Sequence, residues 1–186
     1  MTMTMLPNAK SDSHPGPRYQ RRIRVVAVAV ALGASIAVSC FPAAARSNRD
    51  AEPELAHCIA AASRGRPWLE RTLWGLRDQE GGWVGAEVRN TDGSHDLGPL
   101  QVNSWWVPKL SVSTGRPVAH IRWWLIHDAC FNVAAARWIF LSGLGLTRDY
   151  WKAIGIYHSP TAWRQKRYSA LVAAKLRRRF GDTIFR

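Results

Sequence analysis

Acidic residues are scarce in this chain. Only 13 Asp and Glu stand against 26 Lys and Arg in 186 residues, a formal charge of +13. So basic a balance favours a polyanionic partner, whether nucleic acid, anionic lipid or an acidic polymer, and composition alone does not choose among them. Cysteine is scarce as well, at three residues, and the six His are scattered. No CxxC pair or His-rich spacing accompanies them, which excludes a zinc site. Also missing are a Gly-rich phosphate loop, a Ser-His-Asp signature and any internal repeat. What is present is a globular composition, 47% hydrophobic and 21% charged, which excludes a mostly disordered chain. The length fits one domain of ordinary size plus something short. Ten Trp is a high count. Trp builds cores, and it also lines grooves for flat, amphipathic ligands such as sugars.

The first 45 residues read as a leader rather than as fold. Residues 1–17 are polar and hold Pro7, Pro15 and Pro17. Arg18, Arg21, Arg22 and Arg24 form a basic cluster, and an uncharged run from Val25 to Ser39 follows. Phe41-Pro42-Ala43-Ala44-Ala45 then precedes charged Arg46. A basic region, a short apolar region and Ala-x-Ala make a secretory signal peptide, with cleavage expected after Ala45. The alternative is an uncleaved anchor, since Val25 to Ala45 just reaches the ~20 residues that span a bilayer. Pro42 and the small-residue end favour cleavage. A lipoprotein reading would use Cys40, but Ala37 stands where a bulky aliphatic residue is usual. Cleavage removes five of the basic residues and one of the acidic ones, leaving a net +9. Export to a periplasmic or secreted location weakens the nucleic-acid reading. It also makes pairing the default for the two remaining cysteines, Cys58 and Cys130.

After a polar lead-in over residues 46–53, a domain is expected over 54–180 and a tail over 181–186. Leu55, Cys58, Ile59 and Ala62 recur at helical spacing, placing Cys58 on the buried face of a first short helix. Gly65 ends it, and Pro67 suits the first turn of a second helix with the apolar stripe Leu69, Leu73 and Leu76. Four residues further along that stripe stands Glu80. A carboxylate at the end of an apolar face is carried inward, where desolvation raises its pKa. A structural Glu in a satisfied or fraying last turn is the plainer reading of the same spacing.

Gly81-Gly82 ends the second helix, and residues 81–100 read as loop with a turn at Asn90-Thr91-Asp92-Gly93-Ser94. Asp92, Ser94 and Asp96 lack the full ligand pattern of a calcium loop, so the segment reads as a plain turn. In Asp96-Leu97-Gly98-Pro99-Leu100-Gln101-Val102-Asn103, Gly98 permits close approach to the backbone. Gln101 and Asn103 face the same way if the chain is extended. Converging amides suit sugar hydroxyl and acetamido groups, and ordinary turn-capping serves equally well as an explanation. Ser104 to Val107 reads as a short helix stopping before Pro108. Gly115 and Pro117 mark a loop. Asp128 caps a helix ended by Gly143 and Gly145, and Tyr150–Tyr157 is another. Residues 162–180 form a last amphipathic helix with Arg164, Lys166, Arg167, Lys175, Arg177, Arg178 and Arg179 on its basic face, either solvated or drawn to an anionic polymer.

Taken in order, four pieces resemble one family: Glu80 with Gly81-Gly82 after a helix; Asp96 to Asn103; Trp138-Ile139 in the helix begun near Cys130; and Ala153-Ile154-Gly155-Ile156-Tyr157-His158-Ser159-Pro160-Thr161. They are similar to the soluble, goose-lysozyme-like lytic transglycosylases, and closest to the small exported members that accompany conjugation and secretion machines. The likeness covers about residues 54–175. It implies a mainly α, lysozyme-like domain with a glycan-binding groove and at most a short β-ribbon around residues 85–102. Glu80 matches the single catalytic acid, and Gly98 to Gln101 resembles the segment lining the groove beside it. Tyr157 matches a tyrosine neighbouring the acid, and Cys58 and Cys130 match a cysteine pair of the secretion-associated subgroup. Gly81 stands where Ser is usual, and His158 where Asn is usual.

The implied activity is cleavage of the β-1,4 bond between N-acetylmuramic acid and N-acetylglucosamine, leaving 1,6-anhydro ends. Glu80 would act, with Gln101, Tyr157, Asn103, Gly98 and His158 contacting the glycan, and with no metal or organic cofactor. The implied partners are peptidoglycan strands and components of a secretion or conjugation apparatus for which the wall is opened. A monomer is expected, with no nucleic acid bound and no stable membrane insertion after cleavage. The rivals are a hydrolytic muramidase of the same fold using Asp92 or Asp96, a non-catalytic wall-binding assembly factor, and a basic nucleic-acid binder that export disfavours.

Overall fold

The computed structural model describes residues 52–185. The leader, Cys40 and most of the polar lead-in lie outside the described residues. The chain is mainly helical, with a small sheet of three short strands.

Helix α1 spans Glu52–Ser63 and α2 spans Pro67–Glu80. Pro67 begins α2 because its fixed φ suits the first turn and its missing N–H has no intrahelical acceptor there. Leu69, Leu73 and Leu76 are fully buried, each contributing roughly 1.5–3 kcal/mol of apolar burial. The expected loop then supplies strands β1 (Glu87–Arg89), β2 (His95–Leu97) and β3 (Val102–Asn103). They form an antiparallel sheet in the order β1-β2-β3, with Val88 opposite Asp96 and Asp96 opposite Asn103.

Helices α3 (Trp106–Thr114), α4 (Val118–His127), α5 (Ala129–Thr147), α6 (Tyr150–His158) and α7 (Ala162–Phe180) follow. Three boundaries differ from the sequence expectation. Helix α3 runs through Pro108 rather than stopping before it, since Pro108 sits in the first turn, where a missing N–H costs no intrahelical bond. The segment after Pro117 is helical. Helix α5 continues through Gly143 and Gly145 and ends at Arg148, whose φ is +54°. A Cβ at Gly143 would stand 3.6 Å from Ala153 on α6, so this glycine faces the neighbouring helix and is not a terminator. Asp128 caps α5 as expected, its side chain accepting the Phe131 N–H at 2.8 Å. The segment read as a tail folds back as a 3-10 turn over Asp182–Phe185, with Phe185 against Trp151.

Helix α5 is the one helix among the described residues long and apolar enough to cross a membrane. Here it packs against α1, α4 and α6, and Ala136, Ile139 and Phe140 are core residues. Cys58 of α1 and Cys130 in the first turn of α5 form a disulfide, with Cα atoms 4.7 Å apart and a sequence separation of 72. Helices α2 and α7 pack antiparallel: Phe180 lies near Arg71, Leu176 against Gly75, and Tyr168 against Glu80. The buried stripe Tyr168, Val172 and Leu176 recurs every four residues, which puts all three on one face of α7.

Candidate functional site

Glu80 is the last residue of α2, and Gly81 closes the helix in the left-handed conformation at φ +62°. Its N–H donates to the Arg77 carbonyl at 3.0 Å. A side chain at Gly81 would meet open space but a strained backbone, so this helix cap favours glycine. At Gly82 a Cβ would stand 2.3 Å from the Gly98 carbonyl oxygen, and this close approach brings the 98–101 turn beside the acid.

The Glu80 carboxyl is pushed up to about 7, mainly by burial. A hydrogen bond from the Tyr168 hydroxyl to Oε1 opposes that rise, and the negative charge of Asp96 adds to it. Burial, with Glu80 beside it, holds the Tyr168 phenol well above its ordinary value, so Tyr168 remains a neutral donor. His158 stacks flat on the Tyr168 ring, with centroids 4.5 Å apart and planes 3° from parallel. Burial lowers the His158 pKa, which keeps the imidazole neutral around pH 7.

The turn beside the acid is held from two helices. Asn132 of α5 is fully buried, and its amide makes three hydrogen bonds. Oδ1 accepts the Leu100 N–H at 2.9 Å, and Nδ2 donates to the carbonyls of Leu97 and Leu125, both at 2.8 Å. From α6, the Tyr157 hydroxyl donates to the Leu100 carbonyl at 2.8 Å. Leu100 is thus fixed at both its N–H and its C=O. Tyr157 neighbours the acid but does not hold it. It holds the turn, and Tyr168 holds the acid.

Two cavities meet at Glu80, of about 430 Å³ and 310 Å³, sharing Glu80, His158 and Arg164. Gln101 and Asn103 both line the larger one, as do Tyr157 and the exposed Trp105. They are not side by side on an extended strand, because Gln101 takes a φ of +48° in the turn. Gln101 Nε2 donates to the Gly98 carbonyl at 2.8 Å. Asn103 Nδ2 donates to Asp96 Oδ1 at 2.9 Å and to Ser94 Oγ at 3.0 Å, and its Oδ1 accepts the Trp105 N–H at 3.0 Å. Asn103 therefore shapes the cavity wall with its hydrogen bonds turned inward. Gly98 does permit close approach, but to the protein itself. A Cβ there would stand 2.1 Å from the Leu125 carbonyl oxygen, and Gly98 lines neither cavity.

Asp92 Oδ1 accepts both the N–H and the hydroxyl of Ser94, at 2.9 and 2.7 Å, so the segment is a turn. Those bonds hold Asp92 below the usual carboxylate range. Among the described residues no three His, Cys, Asp or Glu gather in a way that would hold a metal ion.

Sequence reasoning missed Tyr168 and Asn132. The first had a signal, as the leading residue of the apolar stripe on an otherwise basic helix. The second had little, since one Asn in an apolar helix gives no hint that three backbone groups from elsewhere in the chain will converge on it. No protein-family model matches this chain, and no curated protein matches it.

Proposed function

We propose that residues 52–185 form a lysozyme-like peptidoglycan lytic transglycosylase in which Glu80 serves as acid and then as base. One observation carries this reading: a carboxyl raised to about 7 at the junction of two cavities, held by a neutral tyrosine. A group that must give and then retake a proton works best with a pKa near the working pH. Protonated Glu80 gives its proton to the bridging oxygen between N-acetylmuramic acid and N-acetylglucosamine. The sugar's 2-acetamido group supports the developing cation. The Glu80 carboxylate then takes the proton of the C6 hydroxyl, whose oxygen closes the 1,6-anhydro ring. The motifs shared in order with the soluble lytic transglycosylases support the same assignment. The leader's pattern supports export, and the net positive charge suits an anionic wall. In this reading the protein opens the wall locally for a transport apparatus.

A specific observation favours a second reading. Asp96 lines the same cavity and bears electrostatically on Glu80. Two carboxylates beside one cleft are the usual equipment of a hydrolase, which would make the protein a muramidase. Mass analysis of products from purified wall separates the two. Anhydro ends, one water lighter than hydrolysis products, support the transglycosylase. Reducing ends overturn it in favour of the muramidase, and no cleavage at all leaves a wall-binding factor.

A further inference from the structure

The two cavities that meet at Glu80 differ in charge. The larger carries Asp92 and Asp96 as well as Lys109, whose ammonium lies 4.5 Å over the Trp106 ring, and it shares Arg164 with the smaller at their junction. The smaller has no carboxylate besides Glu80 and takes Arg164 and Arg167 from α7, with the exposed Trp163 beside them. Positions three apart on a helix share a face, so the two guanidinium groups serve one side of the cavity. Arg164 lies 5.4 Å over the Trp163 ring, and neither arginine has an acidic partner among the described residues. Two other arginines, by contrast, are neutralised in place: Arg179 makes a two-pronged pair with Asp78, and Arg122 pairs with Glu87.

We propose that Arg164 and Arg167 form a carboxylate-binding subsite that fixes the direction in which a glycan strand lies across Glu80. The proposal rests on the peptidoglycan reading above. A muramyl ring carries its acidic lactyl arm on one side only. With that arm on the α7 side it meets two guanidinium groups suited to forked hydrogen bonds. Reversed, it meets Asp92 and Asp96, and like charges penalise that orientation. Trp163 offers a flat apolar face next to the charge, and the neutral remainder of the strand lies toward Trp105. The carboxylate has two possible sources: the free lactyl group of a stripped strand, or the stem peptide of an intact one.

Binding to the whole chain carrying Glu80→Gln, in which the ligand survives, tests this with three oligosaccharides of equal length. One is a neutral N-acetylglucosamine oligomer, one has free lactyl carboxylates, and one carries stem peptides. At least one carboxylate form is expected to bind tenfold or more tighter than the neutral oligomer. Adding Arg164→Gln and Arg167→Gln should erase that preference while leaving the neutral oligomer within about twofold, which also reports intact folding. Loss for the free-lactyl form alone assigns the lactyl carboxylate, loss for the stem-bearing form alone assigns the peptide, and loss for both assigns a subsite that takes either carboxylate borne on that arm. Equal weakening of all three ligands, or no preference for carboxylate at the outset, overturns the subsite and leaves the enzyme reading standing. Failure of every glycan to bind overturns the enzyme reading instead.

Discussion

Replacing Glu80 by Gln should make the folded protein more resistant to unfolding above about pH 4.5, with the gain growing up to about pH 7. In the unfolded chain the Glu80 carboxyl titrates at its ordinary value of 4.5, while in the fold burial pushes it up to about 7. Below pH 4.5 both states hold the proton, and the carboxyl adds no pH dependence. Between the two values the unfolded chain has released a proton that the fold retains, so stability falls as pH rises. Above pH 7 the loss is complete. Two and a half units at 1.36 kcal/mol each set an upper limit of about 3 kcal/mol. Glu80 is partly open to the cavities, and solvent screening there brings the expected figure to about 1–3 kcal/mol. Glutamine keeps the shape without the titration. Urea denaturation of both proteins at pH 4, 6 and 8 reads the difference directly. The gap between Glu80→Gln and the unaltered chain should be larger at pH 6 than at pH 4, and larger again at pH 8, in favour of the variant. A gap that stays constant with pH, or widens in the opposite sense, would refute the idea that Glu80 is desolvated, and with it the physical basis for the proposed role as acid and base.

Three further outcomes follow from the same geometry. Tyr168→Phe removes a hydrogen bond that favours the carboxylate; such bonds to charged groups are worth about 1.5–3 kcal/mol, so the Glu80 titration should move upward by roughly one unit or more. A pH–rate profile of wall cleavage would register this as an upward shift of its alkaline limb, whereas Tyr157→Phe, whose lost hydroxyl bonds the turn and not the carboxylate, should lower the rate without moving that limb. Asn132→Ala removes three buried hydrogen bonds, two to the 97–100 turn and one to Leu125 of α4, and leaves unsatisfied backbone groups at about 1–3 kcal/mol each, so a drop of several kcal/mol in unfolding free energy by urea titration is expected. Reduction of the Cys58–Cys130 bond, which closes a loop of 72 residues, should cost about 4 kcal/mol in the chain-entropy model, and thiol counting on the folded, non-reduced protein should find neither cysteine free.

The sequence by itself determined a good deal. The 3.6-residue spacing of Leu69, Leu73 and Leu76, with Pro67 before and Gly81 after, delimited α2 and put Glu80 at its end. The same logic delimited α7 and placed Cys58 on a buried face. These are local properties: a helix carries its periodicity and its stop signals within a few turns, where one sequence suffices to read them. Pro108 and Gly143 misled the reading because their effect depends on place. A proline is harmless in a first turn, and a glycine in mid-helix can be a contact rather than a break.

Only the tertiary structure decided what surrounds the acid. Tyr168 stands 88 residues from Glu80, Asn132 stands 32 from Leu100, and Tyr157 stands 57 from Leu100. No local pattern carries such distances, since each pairing is set by how α5, α6 and α7 pack on α2 and on the turn. That packing also decided the direction of each hydroxyl, sending Tyr157 to a backbone carbonyl and Tyr168 to the carboxylate. The sequence could place a carboxylate on an apolar stripe. Its proton affinity depended on the depth of burial and on the one donor brought to it, and both are products of the assembled fold.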